Sequence, residues 1–123
     1  MTLLSTQLRC KGSYSKMVRD LSPREFLERR AGGDSLTLLD VREDWEVALA
    51  PVPSDHLHIP MPEISQRLGE LDAQQETVVI CRSGGRSAQV AEFLVARGFR
   101  SVFNLAGGIL AWSRDLDPRI PKY

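Results

Sequence analysis

The chain has 123 residues and a mass of 13.8 kDa, room for one compact domain and no second core of any size. Its 42% apolar and 26% charged residues are those of an ordinary globular domain, which excludes wholesale disorder and a fibrous architecture. Sixteen basic residues cancel sixteen acidic ones, so the global positive field of a nucleic-acid binder is absent.

In chain order, residues 1–19 come first, with Arg9, Lys11, Lys16 and Arg19, no acid and five Ser/Thr residues. The run Lys11-Gly12-Ser13-Tyr14-Ser15 interrupts any long amphipathic helix. Residues 1–16 therefore read as a disordered leader, with a targeting segment as the alternative, and residues 17–123 as the single domain. Ser22-Pro23-Arg24-Glu25 combines a capping serine, a proline at the first helical position and a glutamate three residues after the cap, with Leu21 and Phe26 spaced as a hydrophobic staple. A helix follows to about Arg30 and stops at Gly32-Gly33. The apolar run Leu36 to Val41 predicts a buried strand, and residues 43–49 one or two helical turns. Pro51 and Pro53 open an irregular stretch to Pro60. Ile64, Leu68 and Leu71 then predict a third helix with one apolar face.

Thr77 to Ile80 is a β-branched run that reads as a central strand. After the loop 81–87, Val90, Ala91, Leu94 and Val95 mark a helix that Gly98 closes. Ser101 to Leu105 predicts another strand, Gly107-Gly108 a turn, and residues 109–116 a last helix. Strands alternating with helices imply right-handed crossovers and an α/β fold, a mainly parallel sheet with helices on both faces. Reactive loops lie at the carboxyl ends of such strands. Asp40 and Cys81 both occupy such ends, so they are expected on one edge of the sheet.

Two cysteines cannot staple a disulfide scaffold, and no apolar run approaches the roughly 20 residues that span a bilayer. The composition points to a reduced, cytoplasmic protein with no membrane or nucleic-acid partner. Cys10 has no chemically suggestive neighbours. Cys81 does: the next six residues, Arg82-Ser83-Gly84-Gly85-Arg86-Ser87, comprise two arginines, two serines and two glycines. A strand before it and a helix after it let the intervening N–H groups converge on one point, with Gly84 and Gly85 permitting the tight backbone. The helix end supplies roughly half a positive charge, and Arg82 and Arg86 each add a full one. Such surroundings pull a thiol below its ordinary pKa, and the thiolate is the nucleophile. The same nest, Arg82 to Ser87, suits a tetrahedral oxyanion such as thiosulfate, sulfate, phosphate or arsenate.

Four segments in order, Leu39-Asp40-Val41-Arg42-Glu43, His58-Ile59-Pro60-Met61, Val79 to Ser87 and Asn104 to Trp112, resemble the motifs of a single-domain rhodanese, from about Asp20 to Pro118. The resemblance implies a five-stranded parallel sheet and a cysteine, Cys81, that carries sulfane sulfur as a persulfide. It implies transfer from a small donor such as thiosulfate to a thiophilic acceptor, cyanide or a thiol, with no metal or organic cofactor. Asp40 and Arg42 are expected to brace neighbouring loops. The family's common glycine before the Ile-Pro element is missing from Ala50-Pro51-Val52-Pro53-Ser54-Asp55-His56, which puts that loop's shape in question. His56 and His58 lack a third clustered ligand and read as solvated or structural rather than metal-binding. Trp45, Phe103 and Trp112 read as core or pocket wall.

Two other readings compete. A sulfur-relay module would deliver the persulfide to a partner such as a sulfur-carrier protein, using the same loop chemistry. A cysteine-based phosphatase or arsenate reductase shares the strand–loop–helix arrangement. The related phosphatases place their arginine after five intervening residues, where Ser87 stands here; only four separate Cys81 from Arg86. The shorter loop suits a smaller reactive centre and favours sulfur.

Overall fold

The computed structural model describes residues 18–123; the leader assigned to residues 1–16, and Cys10 with it, lie outside the described residues. The first strand, β1 (Val18–Leu21), feeds α1 (Pro23–Ala31) through Ser22. The Ser22 hydroxyl accepts the Glu25 N–H at 3.1 Å, and Glu25 accepts the Ser22 N–H at 2.8 Å. Two of the helix's orphan donors are thereby satisfied, and Leu21 and Phe26 close over the junction in one buried cluster. There follow β2 (Leu36–Asp40), α2 (Asp44–Leu49), β3 (Leu57–His58), two 3₁₀ segments (Met61–Gln66 and Leu68–Glu70), β4 (Glu76–Ile80), α3 (Gly85–Ala96), β5 (Val102–Leu105) and α4 (Gly108–Asp115).

The strands form one parallel sheet in the order β1-β5-β4-β2-β3, so β4 is central. Alternation along each strand divides the core. Leu38, Val78, Ile80, Phe103 and Leu105 meet Phe26 of α1 and Ile109 and Trp112 of α4. Leu39, Val79, Cys81 and Val102 face the other way, onto Val90, Ala91 and Leu94 of α3. Each fully buried Leu, Ile or Phe contributes about 1.5–3 kcal/mol. The dense clusters on both faces make the central strands a firm base for whatever their carboxyl ends carry.

Three features differ from the sequence reading, the first being β1, for which no strand was expected. The third helix is a pair of 3₁₀ turns. Pro62 has no N–H, Arg67 leaves helical geometry at φ −118°, and Gly69 disfavours propagation by about 1 kcal/mol relative to alanine. The bonds present run Glu63 N–H to Pro60 O and Arg67 N–H to Ile64 O, at 2.8 and 3.1 Å. Ile64, Leu68 and Leu71 nevertheless pack on the α3-side core. The irregular stretch, in turn, contains the edge strand β3, and loop 50–56 is tied down. Ala50 and Val52 are buried, and Arg30 donates to Ser54 Oγ and the Asp55 carbonyl, both at 2.7 Å. No helix among the described residues is long and apolar enough to cross a membrane.

At the carboxyl edge, Asp40 pairs with Ile80, and the Val41 N–H donates to the Ile80 carbonyl at 3.1 Å. The segments leaving β2 and β4 therefore emerge side by side. The start of α4 presses on the second of them. Ile109 N–H donates to the Cys81 carbonyl at 2.9 Å, and Leu110 N–H to the Arg82 carbonyl at 3.1 Å. Gly108 permits this approach. Its φ is +60°, and a Cβ there would lie 2.4 Å from the Arg82 oxygen and 2.5 Å from that of Cys81. Gly108→Ala is expected to cost about 2–4 kcal/mol, read as a lower urea midpoint at unchanged m-value. Gly85→Ala, whose Cβ would meet nothing within 4 Å, is expected to shift stability by less than about 0.5 kcal/mol.

Candidate active site

Cys81 leaves β4 on the face that packs against α3, and the chain must turn sharply to start that helix at Gly85. Gly84 makes the turn at φ +115°, a left-handed conformation that side chains resist, and its N–H donates to Cys81 Sγ at 3.1 Å. The Ser87 hydroxyl stands 3.3 Å from the same sulfur. The residue is 1% exposed. Burial pushes the thiol up, but the hydroxyl of Ser87 and the N–H groups of Ser87, Gly84 and Ser83 together outweigh it and hold the thiol below its ordinary value. The positive end of α3 acts in the same direction.

The Ser87 hydroxyl has one proton and two acceptors. It donates to Asn104 Oδ1 at 2.5 Å, while Asn104 Nδ2–H donates to the Gly84 carbonyl at 3.1 Å and fixes the amide's orientation. With a neutral thiol, S–H donates to Ser87 and Ser87 to Asn104; with a thiolate, the hydroxyl turns to sulfur. Asn104 sits at the end of β5, on the strand next to that of Cys81 and on the same face. The sequence reading gave it no role. Its only signal was its place in the last of the four motifs.

The structure gives the arginines a different part from the one their charge suggested. Arg86 forms two bonds to Glu46, Nη1 to Oε1 at 2.6 Å and Nη2 to Oε2 at 2.8 Å. Arg82 Nε donates to the Tyr123 carbonyl, and its guanidinium lies 5.3 Å from the Tyr123 ring centre. Arg86 stays near enough to Cys81 for their charges to interact. The main bonds to sulfur nonetheless come from amides and a hydroxyl. The reason lies in the packing: Glu46 is buried and needs a cation, whereas the sulfur is already satisfied by the backbone.

Asp40 and Arg42, both fully buried, form an ion pair in which Arg42 Nη2 donates to Oδ2 at 2.8 Å and Nε to Oδ1 at 3.1 Å. Arg42 also donates to the Ala50 carbonyl at 2.8 Å and to the Tyr123 hydroxyl at 2.9 Å, tying β2 to the end of α2 and to residue 123. Glu46 collects four donors: both Arg86 bonds, the Glu43 N–H at 3.0 Å and the Tyr123 hydroxyl at 2.8 Å. The Arg86 bonds are the main cause that its carboxyl is held down to about 2, against the cost of burial. Glu46 and Tyr123 were missed in the sequence. The Glu43–Glu46 spacing of a helix start was a local hint for the first, but nothing local marks the second. His58 Nε2–H donates to the Arg42 carbonyl at 2.6 Å, and His56 Nδ1–H to that of Ser54 at 2.8 Å.

Beside the loop an open groove of about 680 Å³ runs past Arg86, between the start of α2 and the segment 60–63. Trp45, Pro60, Met61 and Pro62 form its apolar wall, and Glu43, Asp44 and Glu63 bring carboxylates. Arg86 is the one residue of the cysteine loop on its lining. Among the described residues no three His, Cys, Asp or Glu side chains gather as a metal site.

Comparison with known proteins agrees with this fold. The family model described as "Rhodanese-like domain" matches residues 22–115. The chain is 38% identical over 102 residues to the protein YtwF of Bacillus subtilis, covering 83% of this chain and 97% of that one. It is 37% identical over 98 residues to a sulfurtransferase of Allochromatium vinosum, covering 80% and 91%. The crystal structure of a rhodanese-like domain protein from Staphylococcus aureus superposes with a TM-score of 0.71 at 30% identity, over 76% of this chain and 90% of that one.

The hydrogen-bond geometry sets opposite expectations for two substitutions. Ser87→Ala removes the side-chain donor to the sulfur, so the pH profile of iodoacetamide alkylation moves to higher pH and the rate at neutral pH falls several-fold. Asn104→Leu releases the hydroxyl to the sulfur and moves the profile to lower pH. A second expectation concerns acid. Because Glu46 is depressed in the folded chain, its contribution to stability is full above the ordinary carboxylate range and drains away as pH falls toward about 2. In urea titrations the wild type therefore loses stability steeply over that interval, and Glu46→Gln shows a shallower loss from a lower starting point.

Proposed function

Since the chain belongs to the rhodanese-like domain family, we propose that it moves sulfane sulfur from thiosulfate or a similar donor to a thiophilic acceptor through a persulfide on Cys81. The observation that carries the reading is the closure of Gly84 N–H and the Ser87 hydroxyl on a buried sulfur, at 3.1 and 3.3 Å. A thiolate so held is ready to attack and easy to restore.

Thiosulfate meets the loop with its oxygens toward the first N–H groups of α3, which have no partner inside the helix. Ser83, Gly84, Gly85, Arg86 and Ser87 form that cradle. Arg82 is the guanidinium free to join it, because an exposed contact of the kind it makes with Tyr123 is worth under about 1 kcal/mol. The Cys81 thiolate attacks the outer sulfur of thiosulfate, the sulfur–sulfur bond breaks, and sulfite departs with the electron pair. The resulting Cys81–S–S⁻ stays within reach of the same donors. Cyanide or a thiolate then attacks the outer sulfur, and the pair returns to Sγ as thiocyanate or an organic persulfide leaves. Preorganised hydrogen bonds supply the assistance, so the two half-reactions require only the thiolate, its cradle and the two reactants. Asp40 and Arg42 brace the loops from behind. A free thiolate of this kind belongs in a reducing compartment, for which the cytosol is our assignment.

Intact-mass spectrometry after incubation with thiosulfate tests the reading. The wild type gains one sulfur atom that cyanide removes, Cys81→Ala gains none, and steady-state kinetics are ping-pong. A gain that survives Cys81→Ala would put the sulfur on Cys10 and end the proposal, as would the absence of any gain. Hydrolysis of p-nitrophenyl phosphate that disappears in Cys81→Ser would favour the phosphatase reading.

A further inference from the structure

We propose that the groove beside the cysteine loop selects the sulfur acceptor by charge, and that its occupant is a small organic thiol with a cationic group and an apolar body. The inference rests on the persulfide reading above and names the class of acceptor that completes it.

Four observations converge. The groove is continuous with the reactive loop, because Arg86 belongs to both. Its field is negative. Glu43 and Asp44 are exposed at the start of α2 and Glu63 stands opposite, while the lining's single cation, Arg86, is committed to the buried Glu46 by two bonds. Glu63 does have Arg67 at 2.9 Å, but that guanidinium also bonds both oxygens of Glu70, at 2.7 and 2.9 Å, so one cation serves two acids. Among the described residues, Asp44 faces a ring nitrogen of His58, at 3.9 Å. The wall, third, is apolar and aromatic: Trp45 is 58% exposed, the most exposed large hydrophobic side chain among the described residues, beside Met61, Pro60 and Pro62. An indole next to carboxylates attracts an ammonium group through both its ring and its neighbours' charge. Finally, a volume of about 680 Å³ is that of a small-molecule site.

In the step so favoured, the acceptor's thiolate attacks the outer sulfur of Cys81–S–S⁻. The bond from that sulfur to Sγ breaks, Sγ keeps the pair as the thiolate, and the acceptor leaves as R–S–S⁻. Charge balances and no oxidant or reductant is consumed. The acceptor's cationic group lies over the acidic rim while its sulfur enters the loop; an anionic thiol of equal size meets like charge on the way in.

The test uses the full chain loaded with sulfur by thiosulfate and freed of excess donor. Cysteamine, 2-mercaptoethanol and 3-mercaptopropionate, of similar size and with positive, zero and negative side groups, each discharge the persulfide while intact mass follows the loss of sulfur. The same series is run on Asp44→Lys/Glu63→Lys and on the milder Asp44→Asn/Glu63→Gln. Intrinsic thiol reactivity cancels when the rate ratio of cysteamine to mercaptopropionate is compared between proteins. That ratio is expected to fall roughly tenfold in the charge-reversed protein and by a smaller factor in the neutralised one. The rate with mercaptoethanol should hold, and the difference should shrink as salt is raised toward about 1 M, where the Debye length is about 3 Å. An unchanged ratio overturns the assignment. So does equally slow discharge by all three thiols in every protein, the result expected if the acceptor is a protein. Failure of Cys81 to load sulfur overturns the sulfur-transfer reading and the groove assignment together, whereas loading followed by charge-blind discharge overturns the groove assignment alone.

Discussion

A thiolate at Cys81, a residue 1% exposed, would be unstable unless donors replaced the water it had lost, since burying an unpaired charge costs several kcal/mol. The donors here are mostly backbone N–H groups, and backbone can be aimed only by fixing the carbonyls on the other side of each peptide. Ile109 and Leu110 do this for the first two peptides of the loop, those of the Arg82 and Ser83 N–H groups, by binding the Cys81 and Arg82 carbonyls on their other side. Those carbonyls satisfy two orphan donors of the first turn of α4. The contact requires Gly108, where any Cβ would collide with both oxygens. One helix start thus orients the loop, and the next helix in space, α3, presents its own start to the sulfur. The site depends on this pairing of helix ends together with the Ser87 hydroxyl.

The charged residues around the loop serve a related end. Asp40 and Arg42 are both fully buried, a pair whose desolvation offsets much of its attraction. What the pair secures is position: through Ala50 and Tyr123, Arg42 joins the end of β2 to the far end of α2. Tyr123 passes the connection on to Glu46, and Glu46 to Arg86 in the loop itself. The arginine that looked like an anion clamp is also the last link of a brace. An acid that binds four donors holds its guanidinium far more firmly than a surface pair would.

Much of this was legible in the sequence because much of it is local. Ser22 and Glu25 announce a helix start that the structure reproduces atom for atom, and Thr77 to Ile80 reads as central because β-branched runs without polar breaks suit a strand covered on both faces. That Asp40 and Cys81 share one edge of the sheet followed from parallel topology, and the structure places Asp40 beside Ile80, the residue before Cys81. The strands β1 and β3 were harder. β1 buries Val18 and Leu21 but exposes Arg19 and Asp20, and β3 has two residues, so neither carries a period long enough to detect. Ile64, Leu68 and Leu71 share an apolar face in a 3₁₀ pair as they would in an α-helix, and spacing could not tell the two apart. Glu46 and Tyr123 are bonded across 77 residues, a separation over which no local pattern carries information. The Arg86–Glu46 pair, 40 residues apart, was out of view for the same reason, so only the sulfur and its anions stood near Arg86 in the sequence.

The division of labour bears on specificity. Amides at a helix start bind any compact anion, so the cradle alone distinguishes poorly among oxyanions and sulfur species. Discrimination has to come from what lies around it: the length of the loop, which sets the size of the reacting centre, and the potential of the approach, which sets what reaches it. Here the loop's guanidinium on the approach is neutralised by an internal carboxylate, and the adjoining wall adds three more acids to a tryptophan. An attractive cradle thus lies behind a mouth that disfavours anions. On the sulfur-transfer reading proposed above, such an arrangement slows a dianionic donor as well as an anionic acceptor, and its cost to the first half-reaction is tolerable only if the second gains from it. Coulombic selection at the entrance acts on encounter, leaving the bonded sulfur untouched. On that reading acceptor preference changes through rim residues such as Asp44 and Glu63 while the hydrogen bonds to Cys81 stay as they are.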